Sequence, residues 1–327
     1  MRRALLLAPL LALAACAPRT EPFDPNRSLD PKDLGAKPAG IEWWYVSASL
    51  PESGLAFHWA QFKVVYRGLL LHAGHVAVTN LNEGTVNFVE NRSQDASFGF
   101  PPLLVRQGDW QLSEQGNEYR LKAGPLDLRL VPQKGPVVHP PGYSGTAEVG
   151  RLYYQSITRL ALTGTIGGRP VTGVAWLDHQ WGDQLPGRNA LWDWFGLHLT
   201  DGSDLMLYRV KNAKGEVVQL AGSRVGADGV AREVKGLSMT PGRTWTSPSG
   251  RTYALDWTVN ADGLQLTLKA RHDNQELLAR SSGVAYWEGP EAGSGTVDGQ
   301  AVQAEGMGEF VGGALTRAEG GFPLGSP

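Results

Sequence analysis

The segment Trp176-Leu177-Asp178-His179-Gln180-Trp181-Gly182-Asp183-Gln184 is the densest group of polar and aromatic side chains in this sequence. It follows an apolar run and leads into Pro186-Gly187, so it reads as a strand end with its loop, a common place for chemistry. Side chains alternate along a strand. His179 and Trp181 then share one face, and Asp178 and Gln180 share the other. A little further on, in Trp192-Asp193-Trp194-Phe195, Asp193 shares a face with Phe195, Leu197 and Leu199. An ionised carboxylate on an apolar face is costly, and burial raises its pKa toward the range of a general acid at neutral pH. This pattern points to proton transfer, with Asp193 as the acid and His179 as its proton partner. Trp181 and Trp192 would be walls facing a developing cation. The same residues admit a plainer reading: Asp193 bonds backbone or arginine groups at a strand start, and His179 is a hydrogen-bonded core histidine.

Other candidates carry less. Glu42, beside Trp43 and Trp44, reads as a strand-start residue. His72 and His75 point to opposite faces of a strand and make a poor metal pair. Asp178, His179 and Asp183 have ligand chemistry, but no second histidine-rich motif completes a site. There is no G-x-S-x-G, P-loop or dinucleotide fingerprint. Neither a metal nor an organic cofactor is expected.

Short alternating runs separated by turn signals must position these residues. They include Trp43–Leu50, Leu55–Tyr66, Leu71–Thr79, Leu126–Leu130, Val171–Leu177, Trp192–Thr200, Leu205–Lys211, Leu264–Ala270 and Ala304–Phe310. Glu83-Gly84, Gly167-Gly168, Asp201-Gly202 and Asp262-Gly263 punctuate them. No helical period is sustained beyond the N-terminal leader. The class is all-β, with sandwich or barrel architecture. A weak internal echo sets Trp44 against Trp194 and Tyr45 against Phe195, which suggests a duplicated domain.

Arg2, Arg3 and the apolar run from Ala4 to Ala15 form a leader too short to span a bilayer. It ends in Leu13-Ala14-Ala15-Cys16, the pattern of a bacterial lipoprotein signal. Cys16, the only cysteine, would be lipidated, so no disulfide forms within the chain. The expected location is the cell envelope, outside the cytoplasm, anchored to a membrane by the Cys16 lipid. The formal net charge is −2, from 30 Lys and Arg against 32 Asp and Glu. That gives no basic stripe for nucleic acid.

Several motifs occur together and in order: Glu42-Trp43-Trp44-Tyr45, His139-Pro140-Pro141-Gly142-Tyr143-Ser144-Gly145, Tyr153-Tyr154-Gln155-Ser156, Trp176–Gly182, Trp192-Asp193-Trp194-Phe195 and Tyr286-Trp287-Glu288-Gly289. With them, the sequence resembles the AttH/carotenoid 1,2-hydratase family of lipocalin-like proteins, often labelled secreted hydrolases, from about residue 38 to 315. The resemblance implies two lipocalin-like antiparallel β-barrel domains in tandem, covering 38–187 and 188–327. A signal peptide (1–15) and a lipidated tether (16–37) precede them. It also implies acid/base chemistry on an isoprenoid or polyene-like substrate, such as double-bond hydration. His179 and Trp181 match the family's His-x-Trp motif. Trp192 and Asp193 match the end of its Tyr-Trp-Asp motif, with Leu191 where the tyrosine would stand. The expected catalytic group is therefore Asp193, His179 and Trp181. Trp192, Trp194, Trp44 and Tyr45 are expected around a hydrophobic or lipid ligand. A carrier or envelope chaperone without catalysis would use the same tryptophans as pocket walls, and a true hydrolase would lack its nucleophile motif.

Overall fold

In the computed structural model, residues 18–320 are described; Cys16 and the leader lie outside them. Apart from one 3-10 turn at Pro51–Ser53, the regular structure of the described residues is all strand. It forms two curled antiparallel half-barrels, lipocalin-like domains in tandem. In the first sheet, Ile41–Leu50 lies between Leu55–Tyr66 and Arg169–Gly182, so the first strand pairs with the last. Leu69–Asn80 and Thr85–Asn91 extend one side, and Gly150–Ile166 extends the other. The second sheet repeats the plan. Ala190–Leu199 lies between Asp204–Asn212 and Gln300–Ala314, and Val284–Val297 follows on the closing side.

Alternation gives each central strand two buried faces. In Ile41–Leu50, Trp44, Val46 and Ala48 fill the first half-barrel with Phe57, Trp59, Leu128 and Leu177. Trp43 and Tyr45 face outward and meet Trp194, Met206 and Tyr208 of the second sheet. In Ala190–Leu199, Phe195, Leu197 and Leu199 fill the second half-barrel with Trp257, Trp287 and Phe310. The outward faces of the two sheets thus bury each other and form a seam. Burial on both faces explains why these strands read as nearly continuous apolar runs.

The faces correct the expected echo by one residue. Glu42 lies opposite Lys63 on the next strand and Trp181 on the closing strand. Asp193 lies opposite Arg209 and Phe310. The equivalents are therefore Glu42 with Asp193 and Trp44 with Phe195. Trp44 cannot match Trp194, because one points inward and the other into the seam.

The stretch read as a tether is also corrected. From Glu21 onward it packs on the first sheet. Phe23 stacks on Tyr153 at 4.4 Å, and the carbonyl of buried Leu34 accepts from Trp44 Nε1 at 2.8 Å. Isolated apolar anchors in a Pro- and Asp-rich segment suffice for docking without any periodicity.

Candidate active site

The seam encloses a cavity of about 380 Å³. Its walls are largely apolar, among them Ile41, Trp43, Phe62, Val64, Trp192 and Val311, and Tyr45, His75, Tyr286, Glu288 and Glu309 supply polar groups. Trp43 and Trp192, one from each sheet, stack at 6.2 Å. A smaller pocket continues the seam past Tyr45 and Glu309 to Tyr154, Asp178 and Trp194.

Three carboxyls come to this seam. Glu288 and Glu309 face each other across the last two strands of the second sheet, a pairing that leaves side chains about 5 Å apart. Burial pushes Glu309 up to about 7, with Asp178 adding to the rise and a hydrogen bond with Trp192 opposing it. Glu288 is pushed up well above the carboxylate range by burial and by Glu309, against the bond with Tyr45. Two carboxyls this close in an apolar site cannot both ionise cheaply. Asp178 is also raised to about 7 by burial, opposed by its hydrogen bonds. It accepts from Trp176 Nε1 at 2.6 Å, from Tyr154 at 2.9 Å and from Ser156. Trp194 Nε1 in turn donates to the Tyr154 hydroxyl at 2.7 Å.

A hydrogen-bonded chain runs from Glu288 across both sheets. Tyr45 donates to Glu288 Oε1 at 2.6 Å, and His58 Nδ1 lies 3.1 Å from the same oxygen. His58 Nε2 meets the Tyr286 hydroxyl at 3.3 Å, and that hydroxyl meets His75 Nδ1 at 3.1 Å. His75 Nε2 then reaches Ser281 Oγ at 3.0 Å. Ser281 donates its backbone N–H to Glu90, which is partly open to solvent. Burial lowers the pKa of both histidines, His75 to about 4. Both are neutral at pH 7, and a neutral imidazole can donate at one nitrogen and accept at the other. The arrangement can hold a proton beside an apolar cavity and exchange it along paired donors and acceptors. Among the described residues no cluster of His, Cys, Asp and Glu is built to hold a metal ion.

Residues 22–313 match the AttH-like family. The chain belongs to the AttH-like family. Its fold is shared with a protein assigned as AttH from Nitrosomonas europaea, at 28% identity and a TM-score of 0.77, covering 89% of this chain and 99% of that one. Kievitone hydratase from Nectria haematococca follows at 19% identity and a TM-score of 0.64, covering 84% and 90%. CghA in complex with Sch210972 follows at 13% and 0.56, covering 91% and 97%. No curated protein matches the chain in sequence.

In this AttH-like chain, the residues singled out from the sequence divide between three places. Tyr45, Trp192 and Trp194 stand in the seam, as a ligand wall requires. Trp44 does not; it stacks on Phe98 and His179 inside the first half-barrel. His179 lies on that inner face too. Its Nε2 bonds Glu42 Oε1 at 2.8 Å, its Nδ1 meets Gln155 at 3.0 Å, and its ring sits between Trp44 and Trp181. Trp181 packs with Tyr153, Ala39 and Phe23 under the docked N-terminal segment. Asp193 lies on the inner face of the second sheet, bonded to Arg209 at 2.8 Å and Lys211 at 2.9 Å. The expected convergence of His179, Asp193, Trp181 and Trp192 on one cavity does not occur. The first three point into two separate interiors, while Trp192 points into the seam between them. Leu191 packs with Tyr286 and Val311.

Asp178 was visible in the sequence as the opposite-face neighbour of His179. Glu288 lies in the quoted Tyr286-Trp287-Glu288-Gly289 motif without an assigned role. Glu309 went unnoticed, although Gly306-Met307-Gly308-Glu309-Phe310 sets it on the same face as Met307. What was missing was which face of each strand meets the other sheet.

Proposed function

We propose that the seam is an acid/base site acting on a lipophilic, isoprenoid or polyene-like substrate. The simplest reaction is hydration of a carbon–carbon double bond. Glu309 donates a proton to one alkene carbon, and Trp43 and Trp192 flank the cation that forms on the other. A water oxygen bonds to that carbon. Its surplus proton returns to the Glu309 carboxylate left by the first step, which restores the acid. The carrying observation is the Glu288–Glu309 pair, one buried and one half-buried, facing each other on an apolar cavity wall. A carrier has no use for such a pair, since burying it opposes folding. Membership of the AttH-like family and the fold shared with kievitone hydratase support the reading.

A lipophile carrier is the second reading. The separation of His179 from Asp193 favours it, because the catalytic group expected from the sequence is not assembled. Incubation with polyenes, isoprenoids and lipid esters, followed by mass spectrometry, separates the two. Gain of one water by a substrate supports hydration. Glu309→Gln should then lower turnover by roughly two to four powers of ten while ligand binding persists. Binding without conversion across these classes would favour the carrier, and ester cleavage would favour a hydrolase.

The anchor is part of the same proposal: Cys16 carries lipid and holds the protein on the outer side of an envelope membrane. Cys16→Ser should leave an unlipidated precursor that no longer fractionates with membranes. An unmodified mature N-terminus elsewhere, found by mass spectrometry, would remove this element.

A further inference from the structure

The strands Leu55–Tyr66 and Leu69–Asn80 join through a two-residue turn, Arg67-Gly68, both at positive φ (49° and 76°). That is the tight turn matched to strand twist. The residues after it are Leu69, Leu70 and Leu71, exposed by 63%, 43% and 39%. Single exposed leucines are ordinary, but three in a row at a hairpin tip leave both of its faces apolar. Leu185, 45% exposed, adds to it from the loop after the first sheet.

The pairing register places these leucines. Leu71, Val64, Ile41, Gly182 and Leu152 form one row across five neighbouring strands. That row spans about 19 Å at the usual strand spacing. Tyr153, next to Leu152, stacks on Phe23, and the N–H of Glu21 bonds to Pro38. The N-terminal segment therefore passes the same end of the sheet as the leucine tip. Cys16 precedes Glu21 by five residues, a reach of about 18 Å at most. The seam cavity extends to this end as well, since Val65, Tyr66, Leu71 and Leu185 line it.

We infer that this sheet end is a bilayer-docking surface. Leu69, Leu70, Leu71 and Leu185 enter the outer part of the membrane that holds the Cys16 anchor. Arg67, whose guanidinium lies 5.3 Å from the Tyr66 ring, sits with it at headgroup level. A lipophile dissolved in that membrane then passes into the cavity without crossing water. The delivery step rests on the proposed acid/base site; the docking step rests on the proposed Cys16 anchor and not on the chemistry of the seam.

The test uses the mature chain from residue 16 with Cys16→Ser, which cannot be lipidated. The probe is sedimentation with vesicles of phosphatidylethanolamine and phosphatidylglycerol. The unlipidated protein should partition onto vesicles. Replacing Leu69, Leu70 and Leu71 together by Ser should lower the partition coefficient at least tenfold, with an unchanged circular dichroism spectrum. Leu70→Asp, a single change, should do so several-fold and serves if the triple variant folds poorly. Val217→Ser and Val230→Ser, exposed by 51% and 49% at other strand ends, should change nothing. Failure of the unlipidated protein to bind, equal loss with the Val variants, or a dimer that buries the leucines would each overturn the docking surface. Glu309→Gln should bind vesicles like the parent, so loss of turnover in that variant and loss of docking in the tip variants fail independently.

Discussion

Asp193 is a buried and Glu309 a half-buried carboxyl on neighbouring strands of the same sheet, yet they face opposite ways and meet opposite electrostatics. Asp193 points into the half-barrel and is held by Arg209 and Lys211. Glu42, its equivalent in the first sheet, is held by the Lys63 ammonium and by a hydrogen bond with His179, whose pKa burial lowers. Glu309 points into the seam, where it faces Glu288 and bonds Trp192. A buried acid with cations across the strand pair ties two strands together. An acid set beside a second, buried acid is favoured in its protonated form. Burial alone does not separate a structural acid from a reactive one; the charges opposite it do.

The comparison breaks first at Asp193. Asp193→Asn leaves Arg209 and Lys211 facing an uncharged amide in a nearly dry site, and the loss of one partner from a buried ion pair costs roughly 3–5 kcal/mol. Chemical denaturation should show that loss. A cost below about 1 kcal/mol would mean that the pair does not hold these strands, and the contrast with Glu309 would collapse.

The seam acid should behave in the opposite sense. Its folded pKa is raised, so between about 4.5 and about 7 the native protein binds a proton that the unfolded chain has released. Its contribution therefore falls as pH rises through that window. Relative to the parent, Glu309→Gln should gain about 2–3 kcal/mol on going from pH 4.5 to pH 8. His75 and His139, lowered to about 4 and about 3 by burial, lose stability as pH falls below 6.5. They do so in both proteins, so the difference reads the Glu288–Glu309 pair rather than the histidines. A parent–variant difference that stays flat with pH would show Glu309 ionised in the fold.

The smallest effect sharpens the contrast. Tyr45 donates to Glu288 at 2.6 Å. Tyr45→Phe removes one hydrogen bond, worth about 1 kcal/mol. It also withdraws a donor that favours the ionised form, so the infrared band of a protonated carboxyl should persist to higher pH. A band lost at lower pH would mean that Tyr45 stabilises the protonated acid instead.

Much of the fold was open to sequence reasoning. The alternation in Leu55–Tyr66 and Leu264–Ala270 reproduces the observed strands to the residue. The runs Val171–Leu177 and Ala304–Phe310 fall inside the longer strands Arg169–Gly182 and Gln300–Ala314, whose ends mix glycine and polar residues with the apolar ones. Neighbours in the ladder, not local pattern, extend them. Tyr45, Trp192 and Trp194, singled out in the sequence as aromatics, stand together in the seam. The sequence pattern sets Asp193 on the face of Phe195 and Leu197, but that face is the core of the second half-barrel and not a cavity wall.

The amino-acid sequence by itself determined the periodicity, the turns and which side chains share a face, because these follow from the two-residue repeat of a strand. Only the tertiary structure decided which of two apolar faces is a domain's own core and which meets the other sheet. Both are hydrophobic, so composition cannot tell them apart. The pairing of the two seam faces sets Glu288 and Glu309 beside a cavity and leaves Asp193 and His179 in separate interiors.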